Sequence, residues 1–405
     1  MRRPPLLFAA ALVVLTLVLL AVAPALAHHK PGHKRGPTTT TLPATTTTGA
    51  SLPTTTVGLG PCAAPLTIST GGYHVGGCYE SRNPAVPAIE IATAQPVYLD
   101  RVLYRHAGVG IASSVSGVQL TLTNSTEIRL DPGSAQDGRA IRLQQANLLV
   151  VEHNRFVDGD GIYWLGSAAS PTVGRVRYNE AFNIGRYKNG LSELVQFFQT
   201  DNVALPGLEV AWNHTINVFQ QSEVEDNINL YQTTGSSGNP IQVHHNLIDG
   251  AFPTTAGGGY TGGGIIAGDA GGSWTSIHHN TVVATVNYGV AISGGHDCTL
   301  TANRVVGRSR AHDGTLMTAG NVGFYVWNHA TDPLWANNTS VDNVSGWLNG
   351  SLARNDWWLP DDANQPNGIN NSSLGGTVDA TAEQAERDAW DAARVAAGVT
   401  VGPLP

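Results

Sequence analysis

The chain has little lysine, cysteine or helical periodicity, and each shortage excludes something. Past residue 61 there is one lysine, Lys188, and no acidic residue precedes Glu80. Counting from there, the remaining 17 basic residues face all 30 acidic ones, a balance of −13. A body this acidic is a poor partner for nucleic acid, because phosphate binding needs a basic surface. Only three cysteines occur, at 62, 78 and 298, too few for a disulfide scaffold. No apolar run beyond the first 27 residues approaches the length of a membrane span. Until Thr381 no stretch of useful length repeats with a helical period.

What is present begins with the leader. Arg2 and Arg3 precede an apolar run from Leu6 to Ala23, followed by Pro24 and the small-residue site Ala25-Leu26-Ala27. That order predicts a secretory signal peptide over 1–27, cut before His28. An uncleaved anchor is the rival, and Pro24 with the A-x-A site favours removal. Residues 28–61 hold His28, His29 and His33, then threonine runs with prolines. They lack the apolar content to offset the entropy of ordering, so this stretch reads as a disordered Thr/Pro-rich linker. The expectation is a secreted, extracellular protein, associated with a cell wall through the linker and inserted in no membrane once the signal is gone. In that compartment Cys62 and Cys78 are expected to form a disulfide and Cys298 to be a buried inert thiol.

Internal repetition is the strongest signal in the body, assigned to 62–380. An apolar residue, two variable residues and asparagine recur at Val151/Asn154, Val176/Asn179, Val210/Asn213, Val243/Asn246, Ile277/Asn280, Leu300/Asn303 and Trp335/Asn338. The Asn-to-Asn steps are 25, 34, 33, 34, 23 and 35 residues. A second set of short, Gly- or Asn-bounded apolar pieces lies further along each repeat, from Gly161-Ile-Tyr-Trp164 to Gly323-Phe-Tyr-Val-Trp327. Steps near 24 suit a coil of three short strands, and steps near 34 add a loop insertion. The pattern predicts an all-β fold, a right-handed single-stranded parallel β-helix of about nine coils, with the asparagines stacked in a structural ladder. Thr381 to Ala397, followed by Gly398, reads as a capping helix within a 381–405 tail.

The segments VVEHNRFVDGDGIYW, IQVHHNLIDG and NYGVAISGGHDCTLTANRVVG resemble the repeats of the pectate-lyase-like (pectin-lyase-like) β-helix superfamily, over roughly residues 84–345. That superfamily holds lyases, glycoside hydrolases, epimerases, esterases and adhesins, and no intact catalytic signature of one member family is present. The resemblance implies a polysaccharide partner lying in a groove along one strand face and its loops. Taking small and apolar residues as inward, the groove rows are Tyr163, Gln196, Asn229, Ile266, Ala291 and Tyr325, then Phe198, Tyr231, Ser293 and Trp327. With Tyr260, the aromatic and amide members are the candidate sugar-binding residues, since sugars present apolar faces and hydroxyls.

Charged insertions supply the candidate chemistry. One holds Arg186, Lys188 and Glu193; the next holds Glu223, Glu225 and Asp226; a glycine-rich one leads to Asp269. β-Elimination on a uronate polymer needs the substrate carboxylate neutralised and a base for the C5 proton. Lys188 or Arg186 fits the base or neutralising role, and Glu193, Asp201, Glu225 and Asp226 fit hard-oxygen ligands for Ca²⁺. No organic cofactor is implied. The alternatives are an inverting glycoside hydrolase using Asp226, Glu225, Asp201 or Asp269, and a non-catalytic glycan-binding or adhesive protein. His296-Asp297 reads as a turn pair. A monomer is expected.

Overall fold

The computed structural model describes residues 61–131, 137–166, 173–185, 195–258, 262–329 and 331–405. The short strands wind into three parallel sheets of eleven, ten and eleven strands, each strand pairing with the one a full coil before and a full coil after it. The first sheet runs from Leu66–Ile68 to Trp357–Trp358, the second from Gly72–Val75 to Thr339–Val341, and the third from Cys78–Ser81 to Ser372–Ser373. The right-handed parallel β-helix is therefore present. It has about eleven coils instead of nine, because both ends carry strands without the asparagine signature.

Alternation explains the interior. In the first sheet Ile141, Ile162, Phe198, Ile228, Ile265, Val290 and Phe324 stack in register with side chains inward. In the second, Val151, Val176, Val210, Val243, Ile277 and Leu300 do the same, all fully buried. Each such side chain contributes about 1.5–3 kcal/mol on leaving water. These stacked inward side chains form one apolar column shared by all three sheets, which holds the coils together.

The V-x-x-N repeat now has a physical reading. The apolar residue points inward, the next points out, and the third takes a left-handed backbone that turns the chain into the third sheet. His153, Tyr178, Trp212, His245, His279 and Ala302 all sit at φ between 51° and 60°, a region costly for most residues. The asparagine that follows holds the turn. Asn179 donates its backbone N–H (3.1 Å) and its Nδ2 (2.9 Å) to Asn213 Oδ1, and Nδ2 also reaches the Val151 carbonyl at 2.8 Å. The same pattern links Asn154, Asn179, Asn213, Asn246, Asn280 and Asn303. The expected seventh member does not belong. Asn338 accepts from the Cys298 N–H and donates to the Gly295 carbonyl, at the turn between the first and second sheets. Asn343 takes the ladder position, followed by Asn371. The insertion before this coil contains a second asparagine at a look-alike spacing, and only the pairing distinguishes them.

Cys62 and Cys78 are joined, with Cα atoms 4.7 Å apart, and Cys298 is buried, its thiol pushed up to about 12 by burial. The C-terminal helix spans Ala380–Ala396, with Asp379 as N-cap accepting from the N–H groups of Thr381 and Ala382. It lies along the outer face of the third sheet, where Trp390 packs with Leu247, Val283, Val306 and Val378. Three ion pairs pin it: Glu383–Arg308, Glu386–Arg304 and Arg387–Asp249. The tail then returns toward the earliest coils, Gly402 N–H donating to Tyr178 O and Leu404 N–H to Asn124 Oδ1. Among the described residues no helix is long and apolar enough to cross a membrane.

Candidate functional site

The outward face of the first sheet carries a register row of Arg142, Tyr163, Gln199, Asn229, Ile266, Ala291, Tyr325 and Trp358. Beside it runs a second row of Leu165, Asp201, Tyr231 and Asp269. Two members of the expected rows are displaced. Phe198 points inward, and Gln199 stands where Gln196 was expected. Gln196 is fully buried before the strand begins. The strand Phe198–Asp201 starts three residues later than the sequence pattern suggests, which moves every side chain to the other face.

At the middle of this face three carboxyl groups converge. Glu225 closes the loop before the long strand Asp226–Thr234, Asp226 opens that strand, and Asp269 lies in the next strand, Gly263–Ser273. Asn229 joins two of them through one amide nitrogen, donating to Asp226 Oδ2 (3.0 Å) and Asp269 Oδ2 (2.9 Å). Tyr288 donates to the other oxygen of Asp226. Gln196 donates to Glu225 Oε2 at 2.7 Å, and Arg139 Nη1 lies 3.3 Å from Gln196 Oε1. The strand partner of Asp226 has to be Gly263. A Cβ there would stand 2.1 Å from Asp226 Oδ1 and 2.6 Å from Tyr288 Cζ.

The electrostatics follow from that packing. Burial, reinforced by the charge of Asp269, raises Glu225 to about 7, against which the Gln196 hydrogen bond and Arg139 work. Burial and the neighbouring Glu225 hold Asp226 well above the ordinary carboxylate range. Among the described residues no lysine or arginine forms an ion pair with any of the three. Asp226 is buried, whereas Glu225 and Asp269 are both partly open to solvent. The arrangement places a carboxylic acid still protonated near neutrality beside a second carboxyl group, the pairing general acid–base chemistry requires.

Aromatic and amide side chains flank the cluster. Toward the earlier coils, Tyr163 donates to Asp201 Oδ2 at 2.5 Å, and the Arg139 guanidinium lies 5.0 Å from the Tyr163 ring centroid. Toward the later coils, Tyr325 stands 5.3 Å from Tyr288 and 6.5 Å from Trp327, which is 40% exposed. Tyr231 lies between Asp201 and Asp269 in the second row.

Four expected site residues, Arg186, Lys188, Glu193 and Tyr260, lie outside the described residues. Of the Ca²⁺ set, Glu225 and Asp226 stand in the cluster and Asp201 lies in the neighbouring strand Phe198–Asp201. Among the described residues no three or more His, Cys, Asp or Glu side chains are arranged to hold a metal ion, and the Asp201 carboxyl is engaged by Tyr163. Arg308 and His312 face the C-terminal helix side, pairing with Glu383 and Asp249. His296 and Asp297 pair with each other at 2.6 Å in a turn. A shallow hollow of about 270 Å³ between Trp274 and Asn337 lies on the second sheet and is lined by none of the three clustered carboxyl groups.

Arg139, Gln199, Tyr288 and Gly263 belong to the site and were not anticipated. Tyr288 was findable: it opens the repeat strand Tyr288–Ile292, and pairing that strand with Gly263–Ser273 puts it over Asp226. Arg139 follows an insertion that hides the repeat period. The fold and this face define a parallel β-helix protein with an acidic, aromatic-flanked strand face. No protein-family model matches the chain, and no curated protein or solved structure matches it.

Proposed function

We propose that this is a secreted polysaccharide-active enzyme of the pectate-lyase-like superfamily that hydrolyses glycosidic bonds on the first-sheet face. The observation that carries the reading is Glu225, raised to about 7 beside Asp269 at the centre of an aromatic-flanked row. Glu225 donates its proton to the glycosidic oxygen as the bond breaks, and Asp269 activates water or stabilises the developing positive charge on the sugar. Asp226 acts from beneath: its charge state and the Asn229 amide hold the cluster in place. Coils rise about 4.8 Å each, so the face from Tyr163 to Tyr325 extends roughly 24 Å, the length of several sugar units; Asn229, Ile266 and Ala291 in its middle are buried, and Glu225 and Asp269 reach solvent beside them. The leader supports export, and the threonine-rich linker supports tethering to a cell wall.

Elimination on a uronate polymer, the first expectation from the sequence, depends on Arg186 and Lys188; hydrolysis needs only groups that stand together here. The test is incubation with neutral and uronate polysaccharides, with Ca²⁺ and with a chelator. New reducing ends without unsaturated-uronate absorbance are expected. A rise in that absorbance would establish elimination instead, and retention of uncut polymer would establish a binding protein.

A further inference from the structure

On the corner between the second and third sheets, two successive coils present the same dipeptide, His244-His245 and His278-His279, in register. Within each pair the two Nδ1 atoms approach to 2.8 Å and 3.0 Å. Between pairs the rings stack: His244 on His278 at 4.8 Å, and His245 on His279 at 5.2 Å with planes 4° apart. Trp212 closes the other side of His245 at 4.5 Å. The outer nitrogens of the strand residues are already placed, with His244 Nε2 at 3.3 Å from Glu209 Oε1 and His278 Nε2 at 2.9 Å from Gln242 Oε1.

Those outer contacts decide the tautomers. A neutral His244 or His278 that donates from Nε2 keeps its lone pair on Nδ1 and accepts the Nδ1–H of His245 or His279; an ion that takes both Nδ1 lone pairs displaces that proton, which moves to the second ring's Nε2 or to solvent. Two nitrogens bound cis to one ion at about 2.0–2.1 Å lie about 2.9 Å apart, which is the spacing of both pairs. Square-planar and tetragonal sites of nitrogen ligands suit Cu²⁺ and Ni²⁺. An outer hydrogen bond from the second imidazole nitrogen is the usual support for a metal-binding histidine. The four do not form a single cage, and what they offer is two bidentate bites.

We propose that these paired histidines form a surface site for a divalent first-row transition metal of the copper class, each pair holding one ion between its two Nδ1 atoms. The site lies on a different corner of the rod from the carboxyl cluster and does not depend on the catalytic reading.

The probe is Cu²⁺ alone, added to the full chain in which the leader imidazoles are removed (His28→Ala, His29→Ala, His33→Ala). Calorimetry should detect Cu²⁺ binding, and paramagnetic resonance should show imidazole nitrogen couplings. His245→Asn with His279→Asn keeps residues that tolerate the left-handed backbone, and should weaken binding at least tenfold and erase the couplings. If that variant's metal-free unfolding midpoint falls, His244→Gln with His278→Gln, at ordinary strand positions, decides with the same expected loss. A parent that binds no Cu²⁺, or folded variants with unchanged affinity and couplings, would overturn the proposal.

Discussion

Asp226 on the first sheet and Asp249 on the third are both buried, and their electrostatic settings are opposite. Burial alone would raise Asp249, but hydrogen bonds from His312 and Arg387 and the charge of Arg387 hold it far below the ordinary range. Among the described residues Asp226 receives the Tyr288 hydroxyl and the Asn229 amide, with two further carboxyl groups nearby, and its pKa is held up. Equal burial therefore gives a fixed anion in one place and a retained proton in the other, decided by whether a cation is in contact. The third-sheet carboxylate fastens the C-terminal helix to the rod. The first-sheet group sits in a cluster whose like charges are left facing one another, an arrangement that costs stability and suits proton transfer.

The largest effect should come from removing the cation on the stable side. Arg387→Ala leaves Asp249 without its two-pronged partner, and a broken buried pair typically costs about 3–5 kcal/mol. The denaturation midpoint should fall accordingly, and the helix should become sensitive to protease. In the parent, the Asp249 contribution is present above the unfolded carboxyl value of about 3.9 and lost as pH falls toward its depressed folded value. The variant should therefore lose much less stability between pH 5 and 2 than the parent does.

On the groove side the sign reverses. Glu225→Gln should lower hydrolysis about 100-fold and remove the loss of activity expected of the parent as pH rises through about 7. Because the folded value is raised, the parent loses stability as pH climbs from the unfolded value, about 4.3, to about 7. Gln removes that penalty, so the variant should be more stable than the parent at pH 8, by about 1–3 kcal/mol, and no more stable at pH 4. Loss of stability at pH 8 would erase the contrast between the two faces.

Gly263→Ala tests the packing beneath the cluster. Its Cβ must displace Asp226 or Tyr288, which should cost about 1–3 kcal/mol and reduce turnover with it. The smallest effect is expected at Trp327, 40% exposed at the edge of the aromatic row. Trp327→Ala should weaken polysaccharide binding severalfold in affinity electrophoresis while changing stability by less than about 0.5 kcal/mol.

Much of the scaffold could be read in advance because a coil repeats one solution. The inward valine, the left-handed residue and the ladder asparagine recur, and their spacing survives insertions of ten residues. That reading failed at Asn338, where the insertion brought a second asparagine to the expected spacing and Asn343 took the ladder position. For the site, Glu225, Asp226 and Asp269 were singled out as carboxyl groups in or near the insertions of successive coils, and Asn229 as an amide of the outward row; that they stand together came from the coil pairing. Gln196 and Phe198 were misplaced because a strand start shifted by a few residues exchanges the two faces, and no local signal marked the shift.

The amino-acid order by itself determined the repeat, the inward column, the disulfide and the terminal helix, because each depends on short-range patterns of apolar, asparagine and cysteine residues. Only the tertiary structure decided which carboxyl groups keep a proton. Arg387 lies 138 residues from Asp249, and Tyr288 lies 62 from Asp226. The charge state of a buried group is set by such distant neighbours, and the winding of the coils is what brings them together.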